Sequence, residues 1–483
     1  KLLADCKAAN YNFIRVWGGG YYPDEYFYDY CDENGIIVWQ DFMFACSAYL
    51  LTEEFEETVR GEVRDNVIRL RNHPSLGLWC GNNEIESAWE YWGLPEDEEA
   101  KRDYLIIFED IIPQVLKAYD PCENTFYWPS SPSSGGGFKD ASSNHAGDMH
   151  YWDVWHNFKP IEAFREFYYR FCSEYGFESL PDIKTCRAFA DETKGDFDLC
   201  SPVMAAHQKC VQGNEKIMYY LAQMVRYPYD FKKLIYSSQL VQADCIRSNV
   251  EHMRRARGRC MGSAYWQVND SNPVISWSSI DYFGRWKGLH YYAKRFYAPC
   301  LISCDDTHRK KPVLNISNER MTAFEGIVKW KLRNNKAEIL QSGEKSVNVP
   351  ALTAQNVLTI DLSDELKNRT DPREKYLEYS IMENGKVLSF GTTLFVRPKE
   401  FTFLEPAITY GISESEDKFA LTFCAENYAK SVCLSLKTAD CVFSDNWFDI
   451  HGKEPVTIMI DKASLSRKMT AQELSGELEI MHN

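Results

Sequence analysis

No run in this 483-residue sequence approaches the roughly 18 consecutive apolar residues of a membrane-spanning helix, so no membrane span is expected. Positive charge is in deficit. Against 70 Asp and Glu stand 54 Lys and Arg, a formal net charge of −16 spread along the chain. Binding to phosphate backbones needs the opposite balance, which argues against nucleic acid as a partner. The 16 cysteines are too few for a disulfide scaffold, and no CxxC is matched by a second, so no structural zinc site is expected. Several, such as Cys80 and Cys172, fall in apolar strands, where cysteine acts as a small hydrophobe. There is no G-x-S-x-G nucleophile elbow, no P-loop, no dinucleotide fingerprint and no solenoid-type repeat.

What is present is ample apolar material. Hydrophobic residues make up 45% and aromatics 14%, enough to bury two to four cores in a chain of this length. From residue 1 to about 300, short apolar strands alternate with helical stretches. Strands are expected near 11–18, 36–43, 76–82, 125–130, 147–152, 170–176 and 260–268. Helices are expected over 24–34, 53–72, 102–119 and 240–257. Continuous apolar strands alternating with helices indicate a parallel sheet covered on both faces. Polar and aromatic residues gather at the C-terminal ends of these strands, where a TIM barrel carries its active site. Seven strands are countable, whereas a closed (β/α)8 barrel has eight. "KLLADCKAANYNFIRVW" opens as the second half of an amphipathic helix, so the first strand is expected upstream of residue 1. The run "SSPSSGGGFKDASSNHAGD" (130–148) reads as a long loop on the active-site face.

After residue 300 the pattern turns to short alternating strands, with Asn384-Gly385 as a hairpin signal and "RPKEF" (397–401) as a junction. The expected organisation is an α/β TIM-type barrel over 1–300, its first strand absent. An immunoglobulin-like β-sandwich over 301–398 and a second antiparallel β-sandwich over 399–483 would follow.

Two strands finish in carboxylates. "NHPSLGLWCGNNEIES" (72–87) runs from apolar Leu76–Cys80 into Asn82, Asn83 and Glu84, and "RFCSEYGFESLP" (170–181) carries Glu174. Desolvating a carboxylate is costly unless it is compensated. Two carboxylates facing each other across a barrel mouth are what glycosidic cleavage requires, one protonating the leaving oxygen and the other acting at the anomeric carbon. Either glutamate taken alone reads equally as a cap or a salt-bridge partner.

Other residues follow from sugar chemistry. Asn83 offers an amide to a sugar hydroxyl. Trp17 in "FIRVW" and Trp266 in "SAYWQ" offer flat faces for a sugar's C–H surface, although indoles in a barrel are also ordinary core. In "GDMHYWDVW", Asp148, His150 and Trp152 share one strand face by period-2 alternation and suggest a hydroxyl-binding network, although His150 reads equally as a satisfied core histidine. Asp41, after "VWQ", reads as a strand-end carboxylate in a supporting or sugar-hydroxyl-binding role rather than a catalytic one, and Trp92 in "EYWGL" as a leaving-group-side aromatic or a plain loop residue.

The long motifs "NFIRVWGGGYYPDEYFYDYCDENGIIVWQDFMFAC", "NHPSLGLWCGNNE" and "SEYGFESLP" together resemble the β-mannosidases of glycoside hydrolase family 2. The resemblance covers residues 1 to about 300. It implies an exo-acting, retaining enzyme on terminal β-D-mannose of a glycan or oligosaccharide, with Glu84 as acid/base after Asn83 and Glu174 as nucleophile. In that family Asn83 would donate to the sugar 2-hydroxyl. The family needs no metal and no organic cofactor. It carries two β-sandwiches before the barrel, so further N-terminal domains are expected in the natural protein. Rival readings are exo-β-glucosaminidase or another β-glycosidase on the same scaffold, and a non-catalytic carbohydrate-binding barrel. A cationic sugar would call for an added carboxylate near Glu84, where the sequence offers Asn82 and Asn83.

Overall fold

The computed structural model describes residues 1–93, 97–122 and 126–483. They form two compact units. One comprises Lys1–Asn157, Arg165–Tyr175 and Gly258–Tyr265, and the other Phe158–Phe164, Gly176–Arg257 and Trp266–Asn483.

The first unit is built on short parallel strands: β1 (Phe13–Val16), β2 (Ile37–Asp41), β3 (Leu76–Cys80), β4 (Tyr127–Trp128), β5 (Met149–His150) and β6 (Cys172–Glu174). β1 to β4 hydrogen-bond in sequence order, and β5 pairs with β6. Parallel bridges carry the pairing past the named strand ends, at Ala45–Asn83, Asn83–Ser131 and Cys172–Ser263. This is a (β/α)8-type barrel, with antiparallel sheets following it in the chain. The strands are shorter than the sequence pattern suggests. β3 leaves regular pairing at Cys80, before Asn82 to Glu84, whereas β2 keeps Gln40 and Asp41 and β6 keeps Glu174 within the paired strand. The expected 260–268 strand is reduced to bridges, among them Ser263 and Trp266. Thr125, the expected start of the fourth strand, lies outside the described residues.

Helices cover the sheet as their periodicity predicts. Glu53–Leu70 begins at Thr52, whose side chain accepts from Phe55 N at 3.2 Å, and three glutamates in its first turn complement the helix dipole. Its buried residues, Val59, Val63, Val67 and Leu70, repeat at helical spacing. They pack with Val38, Trp79 and Phe108, each buried aliphatic contributing roughly 1.5–3 kcal/mol. The expected 102–119 helix is Glu98–Leu105 and Ile112–Tyr119 joined by a π-helical turn, Ile106–Ile111. Pro113 explains the break, because it has no N–H to return to the turn before it.

The second unit carries the long helix Phe231–Arg255 and two groups of antiparallel sheets. Strands Ile339–Val349, Phe324–Asn334, Lys375–Glu383 and Lys386–Leu394 form a four-stranded sheet in that order. A three-stranded sheet (Thr353–Thr359, Val313–Asn318, Cys300–Asp305) shares its core through Leu314, Ile316, Val328, Leu377 and Ile381. The hairpin at 384–385 forms as expected, with φ of 51° at Asn384 and 76° at Gly385, the left-handed pair its tight turn needs. Two further three-stranded antiparallel sheets span Thr409 to Met481.

Candidate active site

Arg15 organises the ends of the parallel strands. It stands on β1 between Ile14 and Val16, with its side chain buried. Nη2 donates to Asp41 Oδ2 at 2.8 Å and to Asn83 Oδ1 at 2.8 Å, while Nη1 donates to Glu174 Oε2 at 3.1 Å. One guanidinium thus ties together the ends of β2, β3 and β6. Burial opposes its charge, but Asp41 and Glu174 outweigh that and hold the proton more firmly than usual. The sequence reading did not single out Arg15. Its signal was a lone cation in an apolar strand, two residues before Trp17 in the alternating pattern.

Asp41 is fully buried and accepts from Arg15, from Trp39 Nε1 at 2.8 Å and from Gly18 N at 3.0 Å. That approach requires a glycine, since a Cβ on Gly18 would lie 2.5 Å from the Phe44 carbonyl oxygen. Gly19 packs on the Trp17 ring so closely that a Cβ would fall 1.9 Å from it. Trp17 is therefore held, half-buried, just past the end of β1.

Glu84 follows β3 with a φ of 60°, a left-handed conformation uncommon outside glycine that is often found where function fixes a side chain. Its backbone N–H donates to Ser131 O at 2.8 Å, and Asn83 N donates to Phe44 O at 2.9 Å, which anchors the turn to its neighbours. His150 Nδ1 lies 2.8 Å from Glu84 Oε1, and Cys46 Sγ lies 3.8 Å from Oε2. Asn83 Nδ2 donates to the same sulfur at 3.3 Å. Cys46 and Ser131 were not foreseen, being a cysteine beyond a strand and a serine in a serine-rich loop.

His150 and Glu174 are register partners on β5 and β6, which brings the three groups together. One ligating atom from each of Glu84, His150 and Glu174 lies within 4.8 Å of the others. Trp152 Nε1 donates to Glu174 Oε1 at 3.2 Å. Burial pushes the Glu174 carboxyl up, and the charge of Glu84 adds to this against His150 and Arg15. Burial would raise Glu84 too, but the His150 hydrogen bond and charge outweigh it and hold Glu84 low. The imidazole is correspondingly raised, with Glu174 and Glu84 prevailing over burial.

Asp148 is placed differently from a sugar-binding carboxylate. It is buried, and its oxygens accept from Trp128 Nε1 at 2.8 Å, Ser133 N at 2.9 Å, Ser131 Oγ at 2.7 Å and Ser173 Oγ. Four protein donors saturate it. Trp92 is half exposed at the end of the helix Ile85–Tyr91, outside this hydrogen-bonded cluster. Trp266 belongs to the second unit, where it forms a parallel bridge with Gly176. The 130–148 loop is pinned by carboxylates, with Gly137 N on Glu109 at 2.6 Å, Phe138 N on Glu86 at 2.9 Å and Ala141 N on Glu90 at 2.8 Å.

Among the described residues, a second group with ion-ligating spacing is Asp29, Asp32 and His73. There both histidine nitrogens already face carboxylates, Asp32 at 2.7 Å and Glu25 at 3.3 Å. In the Glu84–His150–Glu174 group, Arg15 supplies the cation.

Comparison with known proteins adds two kinds of likeness. Residues 311–400 match the Mannosidase Ig/CBM-like domain model, and residues 403–483 match an Ig-fold domain model of mannosidases. "Beta-mannosidase B" of Aspergillus fumigatus is 33% identical over 470 residues, covering 90% of this chain and 54% of the relative. "Beta-mannosidase" of Capra hircus is 35% identical over 324 residues, 62% of this chain and 36% of the relative. The chain spans about half the length of the first curated relatives it matches, between 54% and 55%. Among solved structures, a β-D-mannosidase from Dictyoglomus thermophilum superposes with a TM-score of 0.89 at 30% identity, covering 100% of this chain and 57% of that one. An exo-chitosanase from Amycolatopsis orientalis shares the fold at a TM-score of 0.72 and 14% identity, covering 100% of this chain and 60% of that one.

Proposed function

We propose that this chain, which belongs to the β-mannosidases of glycoside hydrolase family 2, carries the catalytic centre of an exo-acting, retaining enzyme that releases terminal β-D-mannose. The observation that carries the reading is the approach of the Glu84 and Glu174 carboxylates, with an oxygen of each inside a 4.8 Å group. Retaining glycosidases hold their pair about 5–5.5 Å apart, whereas inverting enzymes leave about 6.5–9.5 Å for a water.

In this mechanism Glu174 attacks the anomeric carbon while Glu84 protonates the departing oxygen, giving a covalent mannosyl-enzyme. Glu84, now a carboxylate, takes a proton from water, whose oxygen displaces Glu174 and releases β-mannose. Arg15 and Trp152 favour the anionic nucleophile by donating to opposite oxygens. Once Glu84 is neutral, the like charge that raises Glu174 is gone, so protonating the acid readies the nucleophile. Asn83, held through its oxygen by Arg15, presents its amide to the 2-hydroxyl, and Trp17 offers a face to the sugar. Asn82 is turned inward, accepting from Ile85 N and Ser130 Oγ, so the turn brings no extra carboxylate for a cationic sugar.

The test is hydrolysis of aryl β-glycosides compared sugar by sugar, with the first product identified by proton NMR. Preference for mannoside and initial release of β-mannose are expected. Initial α-mannose, or preference for the glucosaminide, overturns the reading.

A further inference from the structure

Asp148 and Ser131 remain outside the mechanism just described, yet both are buried and both connect to it. Ser131 Oγ lies 2.7 Å from Asp148 Oδ2 and 3.0 Å from His150 Nε2. A hydroxyl has one proton to donate. The anionic carboxylate, which takes only donors from its other neighbours, is the stronger acceptor. Ser131 therefore gives its proton to Asp148 and accepts from His150, which fixes a proton on Nε2. Arg15 Nη1 gives one N–H to Glu174 at 3.1 Å, and its second N–H meets Nε2 only at 3.5 Å, beyond the usual hydrogen-bond range and well outside the 3.0 Å of Ser131 Oγ, so Ser131 is the partner that sets Nε2.

With Nε2 carrying hydrogen, Nδ1 and Glu84 Oε1 have a single proton between them across 2.8 Å. That proton sits either on Nδ1, giving imidazolium and carboxylate, or on Oε1, giving neutral imidazole and carboxylic acid. Building on the mannosidase reading, we propose that Asp148 and Ser131 are positioning residues for the acid/base: by fixing the Nε2–H tautomer of His150 they make Nδ1 the place where the proton of Glu84 is stored. In the first step that proton passes from Nδ1 to Glu84, and a turn of the carboxyl delivers it to the departing oxygen. In the second step Glu84 removes a proton from water and the Nδ1–Oε1 pair regains its one proton, so the count is unchanged over a cycle. Were the neutral ring in the other tautomer, Nδ1–H would donate permanently to Glu84 and hold it as a carboxylate, unable to act as an acid. Charged groups facing the ring are Glu84, Glu174 and Arg15 directly, and Asp148 through Ser131.

The test uses Ser131→Ala, which removes only the hydroxyl, with Ser131→Thr as the conservative variant and Asp148→Asn as a second break in the chain. Nitrogen-15 NMR of histidine-labelled full-length protein reads the tautomer without reference to activity, His150 signals being assigned by their loss in His150→Gln. Wild type and Ser131→Thr are expected to keep the proton on Nε2, whereas Ser131→Ala and Asp148→Asn move the neutral ring to Nδ1–H. In parallel, the basic limb of the kcat/KM profile should fall by about one pH unit in Ser131→Ala. Turnover of mannobiose should drop at least tenfold more than turnover of a dinitrophenyl mannoside, whose leaving group needs no acid. An Nδ1–H ring in wild type, or an unmoved tautomer and unmoved basic limb in Ser131→Ala, overturns the proposal. Absence of β-mannosidase turnover in wild type defeats the mannosidase reading instead, and the spectrum still decides the tautomer.

Discussion

Arg15 Nη1 lies 3.1 Å from Glu174 Oε2, and both side chains are more than nine-tenths buried. The same guanidinium also neutralises Asp41, so its removal would leave two carboxylates without their cation. Truncating one member of a buried ion pair costs about 3–5 kcal/mol. Arg15→Gln is therefore expected to lower the melting temperature markedly. Loss of the cation also raises the proton affinity of Glu174 further, so the acidic limb of the rate profile should move to higher pH. Thermal melts and a pH–rate profile check both, and an unchanged acidic limb would separate Arg15 from the nucleophile.

The assignment of roles predicts opposite behaviour for the two glutamates. Glu174→Ala should abolish turnover on every mannoside. Glu84→Ala should lose roughly 100- to 10,000-fold on substrates with poor leaving groups, the usual range for a general acid. With good leaving groups it should form the mannosyl-enzyme and accumulate it, and azide should rescue it as β-mannosyl azide. An α-azide from Glu84→Ala would reverse the roles.

Much of this arrangement was legible in the chain because barrel strands announce themselves as apolar runs and because chemistry gathers where those runs end. Glu84, Glu174 and Asn83 were found by that rule and His150 and Trp152 by strand-face alternation, and the structure brings all five together with Arg15 in one hydrogen-bonded cluster. Strand-face alternation could not tell which neighbours would saturate a side chain. Asp148 shares a face with His150 by period, but four donors from β4, its loop and β6 claim it. Arg15 was passed over because a single cation between Ile14 and Val16 looks like an exposed interruption in an apolar strand. Ser131 and Cys46 carry no pattern at all, since their contacts join segments dozens of residues apart in sequence. In the same way, the π-helical turn before Pro113 left the helical period of 102–119 nearly intact.

The loop over 130–148 carries a pH dependence. Glu86 accepts from Phe138 N and is fully buried, and burial raises its carboxyl from 4.5 to about 7, with Glu109 and Asp148 adding to the rise. Between those two values the folded state binds the proton and the unfolded state does not. Stability therefore declines as pH rises from about 4.5 to 7, by on the order of 3 kcal/mol. Glu86→Gln keeps an acceptor for Phe138 N without the charge. Melting temperatures should be similar for the two proteins at pH 4.5, with the variant ahead at pH 8. A parallel pH dependence in both would show that Glu86 ionises without penalty.

Cys46 reports on the state of Glu84 from outside the proton path. Its thiol is pushed up to about 11, first by burial and then by the charge of Glu84, against the Asn83 hydrogen bond. The thiolate is the nucleophile, and at pH 8 a thiol titrating near 11 is on the order of one-thousandth ionised. Iodoacetamide should accordingly modify Cys46 far more slowly than the exposed Cys122 and Cys200, although part of residue 46 is itself exposed. Glu84→Gln removes the second cause and leaves the first, so Cys46 should react several-fold faster in that variant while the two reference cysteines keep their rates. Peptide mass spectrometry over pH 7–10 measures all three sites in one sample. If Cys46 is the fastest of the three in wild type, its sulfur is a thiolate at neutral pH. It would then repel the Glu84 carboxylate instead of donating to it, and the hydrogen-bond scheme drawn around Glu84 Oε2 would be wrong.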